Sequence, residues 1–378
     1  MSTIAVHQPR IGIAAPSVGA WSETFIAAHL QRLPHVRLVL TDGVLPTRIS
    51  DGPRLLRNDA FGRFLDRVEA RARGTGMDGL LRSRITRSLR TNRIEVLLAE
   101  YGTCAGAVVA ASVAAGVPLV AHFHGFDAYS RSALRDTGSY KQLFKHAAAL
   151  VAVSRDMEQQ LLTLGAQREK VILSPYGIDV DRFTAGRPGQ APPHFIAVGR
   201  FVEKKAPHLT LTAFEMALRK APDARLTMVG HGPLWESCVQ RVRKGPLAGR
   251  VDLPGVVDHV GVASLMRTAR GFVQHSVEAL SGDREGTPLA VLEAMASALP
   301  VIASRHAGIA DAIEHGVHGL LCAEFDVESM ARNMIAIIDD PALAARMGAA
   351  GRARAMEHYR MSDSIDRLHA ILGRCARR

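Results

Sequence analysis

The sequence predicts an α/β protein made of two parallel-sheet halves. Three observations predict it. Short apolar runs alternate with helical patterns along nearly the whole chain, the signature of βαβ units. A stretch at 181–193 containing Gly186, Pro188, Gly189, Pro192 and Pro193 breaks the series, and a second alternating series then starts afresh. The residues with the most chemistry fall at the carboxyl ends of expected strands, where parallel sheets bind ligands.

In the first half, the run 11–15 reads as a buried strand, followed by a helix over 24–33 with Ser22 as its cap. Strands follow at 36–40 and 96–99. The small-residue stretch 105–115 reads as a helix ended by Gly116. The strand 118–123 stops at His124-Gly125, and strands at 148–153 and 171–174 complete the half. After the break, strands are expected at 195–198, 225–229, 251–253, 271–274 and 300–303, with helices between them. Helical patterns at 327–338, 341–358 and 362–372 close the chain. The expected domains are 1–180, a linker at 181–193, 194–358, and a terminal helical segment 359–378.

The region 54–93 departs from this pattern. It is rich in arginine and poor in acids, with Phe61, Leu65, Val68 and Ala72, then Leu81, Ile85 and Leu89, at helical spacing. It reads as basic amphipathic helices. One reading is a solvated face; the other is a surface for anionic lipid or a diphosphate-lipid acceptor.

With 378 residues and 47% hydrophobic content, the chain can bury two ordinary cores. The 47 Lys and Arg against 36 Asp and Glu leave +11, which favours an acidic partner. An aromatic content of 5% argues against a base-stacking nucleic-acid binder. Cys104, Cys238, Cys322 and Cys375 are scattered without a CxxC pair, so neither a zinc site nor a disulfide framework is expected, which suits a reducing cytosol. The N-terminus does not read as a signal peptide, and no stretch approaches a membrane span.

The densest chemistry lies at 283–296. Thr287 reads as an N-cap and Pro288 as the first helical residue, opening a helix apolar on nearly every side. That helix carries Glu293, and a buried carboxylate is costly unless satisfied. Glu285 just precedes it and belongs to no capping box. The helix start offers free N–H groups for an anion. After the strand 195–198 come Gly199, Arg200 and Lys205: a turn, a bidentate fork for phosphate and a point charge. His124 and Asp127 follow another strand, and Gly19 lies in the loop after the first. There is no GxGxxG after that strand and no Walker loop.

Glu285 and Glu293, with seven residues between them, together with Gly199-Arg200 and Lys205, resemble the retaining GT-B glycosyltransferases of family four. His124-Gly125-Phe126-Asp127, Pro175-Tyr176-Gly177-Ile178-Asp179 and Ser22-Glu23-Thr24-Phe25 resemble the exopolysaccharide subset of the colanic-acid and amylovoran type. The resemblance implies two Rossmann-like domains facing a cleft, with a nucleoside-diphosphate sugar held mainly by the second and the last helix crossing back to the first. It implies that Arg200 and Lys205 hold the diphosphate and Glu293 the ribose hydroxyls. Glu285 would contact the sugar, and the backbone N–H groups around Gly286, Thr287 and Leu289 would meet sugar and phosphate. His124 would reach the donor sugar, while Gly19 and Asp127 would lie on the acceptor side. No DxD-like pair stands in a convincing position, so no metal and no cofactor beyond the nucleotide-sugar co-substrate are expected. The implied place of work is cytoplasmic, at the inner face of a membrane, on a saccharide or lipid-linked acceptor.

The sequence departs from the family pattern at Ala206, at Thr287-Pro288 and at His275-Ser276. A longer loop, 278–283, leaves Glu278 as a rival to Glu285. A GT-B phosphorylase or nucleotide-sugar epimerase shares the fold. A basic nucleic-acid-binding protein is the alternative of another class; it gives no reason for Glu285 and Glu293.

Overall fold

The computed structural model describes residues 8–19 and 24–377, so the Ser22 cap lies outside the described residues. The chain forms two compact units. The first holds the residues up to Val153, Met157–Ser174 and those from Ile365 onward; the second holds Ser154–Asp156 and Pro175–Ser364.

The first unit carries a seven-stranded sheet. Its strands are β1 (Ile11–Ala14), β2 (Val36–Thr41), β3 (Arg48–Ile49), β4 (Val96–Glu100), β5 (Leu119–His122), β6 (Ala149–Ala152) and β7 (Val171–Leu173). The order is β3-β2-β1-β4-β5-β6-β7. Every pairing is parallel except the edge pair β2–β3. β3 was not expected: two residues at an edge carry no periodic signal. β4 is buried along its whole length, as a strand covered on both faces must be.

The second unit carries β8 (His194–Val198), β9 (Arg225–Val229), β10 (Val251–Gly255), β11 (Gly271–Gln274), β12 (Val301–Ser304) and β13 (Gly319–Cys322). All pairings are parallel, in the order β10-β9-β8-β11-β12-β13. Alternate residues supply two cores. Ile196, Phe272, Val301 and Ala303 face one, and Phe195, Ala197, Val273 and Ile302 the other. β13 also escaped the sequence reading, because Gly-Leu-Leu-Cys is too short to declare a period. The strand order reverses between β8 and β11, the switch point where doubly wound sheets bind ligands.

The stretch 181–193 is not a free linker. Phe183 is buried in one of these cores, Gly186 N–H donates to Ser297 O at 2.8 Å, and Arg352 donates to Phe183 O at 2.8 Å. Its glycines and prolines let the backbone hug the second unit, and the units divide earlier, after Ser174.

The helix Ala60–Ala72 forms where expected, but with its faces reversed. Phe61, Phe64 and Val68 are 70%, 56% and 50% exposed, while the buried residues are Gly62, Asp66 and Ala70. Asp66 explains the orientation. It accepts from Arg57 N–H at 2.8 Å, from the Arg57 guanidinium at 3.1 Å and from Arg84 at 2.7 Å. The next helix, Met77–Thr91, buries Leu80, Leu81, Ile85 and Leu89 in the ordinary way.

Candidate active site

In the second unit the site grows from the ends of β8 and β11. β8 ends at Val198, and the chain turns through Gly199 and exposed Arg200 into the short 3-10 turn Glu203–Lys205. Gly230, at φ +134°, follows β9; a Cβ there would lie 1.9 Å from Gly199 O, so the two backbones can touch only because Gly230 has no side chain. Val198, Gly199, Arg200, Lys205, Met228 and Gln274 line one crevice.

The loop after β11 returns to this turn. Lys204 Nζ donates to Asp283 Oδ1 and to Arg284 O, both at 3.0 Å. Lys205 Nζ lies 3.0 Å from Glu285 Oε2. Glu285 is 5% exposed, and its Oε1 is buried without a hydrogen-bond partner among the described residues. Burial would raise the Glu285 pKa, but Lys205 and Lys204 more than offset it, and the carboxyl stays below its ordinary value. Glu278, the rival acid, is exposed and ion-paired with Arg284.

Thr287 does not cap the following helix. Its hydroxyl accepts from Tyr176 N–H at 3.4 Å, so the helix Leu289–Ala296 begins one residue later, with Pro288 as its N-cap. Gly286 is buried under the start of the helix Ala307–Ala312, where a Cβ on Gly308 would fall 1.9 Å from Gly286 O. Leu289 is half-buried, and Val291, Leu292, Ala294, Met295 and Ala296 are buried as expected. Glu293 keeps some residue surface in solvent, but its carboxyl end is enclosed. Burial pushes its pKa up to about 7, with Arg182 and Lys205 pulling it back only in part. Lys205 therefore acts on both acids, and it shares a crevice with Arg200.

His306 was missed by the sequence reading. Its Nε2 accepts from Glu285 N–H at 3.2 Å, and its Nδ1 donates to Glu324 Oε1 at 2.6 Å. It thus fixes the Glu285 backbone. The available signal was its place just beyond β12, a strand end like that of His124.

In the first unit, the register of β4 and β5 sets Glu100 beside His122. Glu100 Oε1 lies 2.7 Å from His29 Nδ1, and Oε2 lies 2.8 Å from His124 Nε2 and 3.5 Å from His122 Nδ1. The group is buried. Burial opposes the charge on Glu100, but the three histidines hold its pKa well below the carboxylate range. Burial drives His124 down to about 3, so its neutral ring donates Nε2–H to Glu100. His29, Glu100 and His122 bring ligand atoms within 4.8 Å of one another, but the 2.7 Å approach of His29 to Glu100 is a hydrogen bond. The His124 side chain is 1% exposed and packs on Phe25 and Tyr101. Asp127 is fully buried and accepts from Gly102 N–H at 2.6 Å and His124 N–H at 2.9 Å. Its carboxylate braces the loop. Gly19 is exposed at φ +88°.

Two family patterns match the chain in succession: "Glycosyltransferase Family 4" over residues 25–182 and "Glycosyl transferases group 1" over 182–354. A putative colanic acid biosynthesis glycosyltransferase, WcaL of Escherichia coli, is 32% identical over 252 residues, 65% of this chain and 61% of that protein. The amylovoran biosynthesis glycosyltransferase AmsK of Erwinia amylovora is 29% identical over 257 residues, 67% of this chain and 63% of that protein. The chain spans about three fifths of the length of these curated relatives. Among solved structures, Anabaena HepE in complex with UDP superposes with a TM-score of 0.77 at 17% identity, covering 97% of this chain and 100% of that one. Fold and sequence together place the chain among the GT-B glycosyltransferases. Within them its two halves carry the family 4 and group 1 patterns, and it is similar to glycosyltransferases of exopolysaccharide synthesis.

Proposed function

We propose that this protein is a retaining glycosyltransferase of surface-polysaccharide synthesis. It moves a hexose from a nucleoside-diphosphate sugar to a saccharide or lipid-linked acceptor, on the cytoplasmic side of a membrane. The observation that carries the reading is the Lys205–Glu285 ion pair at the β8–β11 switch point, with the second Glu285 oxygen buried and unsatisfied. An orphaned buried acceptor is expensive, and a sugar hydroxyl would satisfy it. HepE, a structural neighbour, has been solved with UDP and with UDP-glucose.

In this reading Arg200 and Lys205 hold the diphosphate. Lys205 exchanges its hold on Glu285 for the negative charge that builds on the departing nucleoside diphosphate. Fixed cations and the N–H groups of Gly286, Thr287 and Leu289 then stabilise that charge without a metal. Glu293 accepts the ribose hydroxyls. Attack comes from the face the leaving group vacates, and the leaving phosphate takes the acceptor proton. Gly19 lines the acceptor side. The resemblance assigns His124 to the donor sugar, and its Nε2 is already held by Glu100. A His124→Ala variant with kcat and KM within twofold of the parent would confine it to a structural role.

The direct test is a thermal-shift panel of UDP-, GDP- and ADP-linked sugars, since a ligand that binds only the folded state raises its apparent stability. One nucleotide class is expected to raise Tm; no shift with any of them refutes the reading. The anomeric configuration of the product, read by NMR, tests retention, and turnover after exhaustive EDTA dialysis tests metal independence.

A further inference from the structure

The helix Ala60–Ala72 is turned inside out, and the donor site gives no reason for it. At 3.6 residues per turn, Phe61, Phe64 and Val68 form one stripe on the side opposite the buried Gly62, Asp66 and Ala70. Ala72 continues the stripe and is exposed as well. Arg63, Arg67 and Arg71, all exposed, run along one flank. Arg67 and Arg71 make no ion pair among the described residues, and the nearby acids are already committed. Asp59 caps the helix by accepting from Gly62 N–H at 2.7 Å, Asp66 is buried on Arg57 and Arg84, and Glu69 binds Arg84 and Arg73. The outward face is therefore apolar at its centre and positive at its edge.

We propose that this face docks on an anionic lipid surface, with Phe61, Phe64 and Val68 entering the headgroup–acyl boundary and Arg63, Arg67 and Arg71 lying on the headgroup charge. Both halves of the arrangement are needed. Aromatic and aliphatic side chains gain from leaving water, and arginines at the rim gain from a negative surface. A second copy of this chain is a poorer occupant, because an antiparallel two-fold contact through this stripe would bring the same three arginines towards their own images. Nucleic acid is poorer too, since it would meet the arginines and leave the apolar stripe in water. The surface lies on the first unit and does not depend on the donor reading. Lipid binding is measured with no sugar present, so the two readings fail separately.

The test is co-sedimentation of the full chain with phosphatidylcholine vesicles, alone or containing about 30% phosphatidylglycerol, a level chosen to give a strongly negative surface. Binding is expected only with phosphatidylglycerol and should weaken as salt rises. The doubles Phe61→Ser with Phe64→Ser, and Arg67→Glu with Arg71→Glu, are each expected to reduce it at least tenfold while Tm stays within about 2 °C, since the altered side chains are exposed. Four results overturn the proposal: no binding to either vesicle, equal binding to both, binding that survives both doubles, or a dimer in solution that the serine double dissociates. If the serine double misfolds, the arginine double decides alone. Retention of the protein by a DNA duplex that the serine double leaves intact also counts against a lipid partner.

Discussion

Lys205 stands at the crossing of the interactions that define the donor site: an ion pair to Glu285 and a charge felt by Glu293. Lys205→Ala should lower kcat by about 10² to 10³, the range for a lost electrostatic contact to a developing charge, while the protein still folds, with a lower Tm because Lys205 offsets the burial of Glu285. Turnover close to that of the parent would remove Lys205 from the chemistry. Glu293 supplies a test on stability. Burial raises its pKa from 4.5 to about 7. A carboxyl raised by the fold costs nothing while it is protonated in both states. As pH climbs from about 4.5 through 7, the unfolded chain releases its proton first and stability is lost. Measured without nucleotide, Glu293→Gln should therefore leave Tm nearly unchanged at pH 4.5 and raise it at pH 8. A Tm difference that is the same at both values would mean that the carboxyl is not raised. Glu285 and Glu293 stand out in the sequence by the seven-residue gap between them. His306 and Glu100 do not, because what marks them is their partners from other strands.

At the scale of the element, the helix Ala60–Ala72 shows a buried charge overriding the apolar pattern. Its sequence has an apolar stripe of the usual spacing, and that stripe faces water because Asp66 faces inward to Arg57 and Arg84. Burial would raise the Asp66 pKa, but the Arg84 hydrogen bond and the Arg57 N–H hold it below the ordinary value. Asp66→Ala should cost about 2 kcal/mol in urea unfolding, somewhat below the roughly 3–5 kcal/mol of a fully buried pair, because Arg57 is half exposed. The contribution of a depressed carboxyl is present above its unfolded pKa and fades as pH falls through the folded one. The cost should therefore shrink below about pH 4, near the ordinary aspartate pKa. Phe61→Ser, on the other face, should cost under about 0.5 kcal/mol. If Phe61→Ser costs more than Asp66→Ala, the assignment of faces is wrong. The helix from Thr287 teaches a smaller lesson: the capping residue was misread because its hydroxyl is engaged by Tyr176 N–H, a partner more than a hundred residues away in sequence.

At the scale of the whole molecule, the C-terminal residues belong to the first unit although the preceding chain belongs to the second. Ile365, Leu368, Ile371, Leu372 and Cys375 are all buried. Each buried aliphatic side chain contributes about 1.5–3 kcal/mol, so removing residues 365–378 should lower Tm by at least about 10 °C or abolish soluble expression. A truncated chain melting within 2 °C of the parent would show that this segment does not stabilise the first unit.

Local pattern in the sequence carries the two α/β halves, most strand positions, the strand-end loops that hold Arg200, Lys205 and His124, and the acids just before and within the helix at Leu289. These follow from periods of 2 and 3.6 residues and from glycines at turns, all local properties. The three-dimensional packing settles which face of the helix Ala60–Ala72 is hidden, that 181–193 packs rather than links, and that Glu285 rather than Glu278 meets Lys205. It also settles that Glu100 gathers three histidines and that Asp127 is a brace. In each case a buried charge, or a backbone group that must find a partner, is satisfied by residues distant in sequence, and no local pattern encodes that partner.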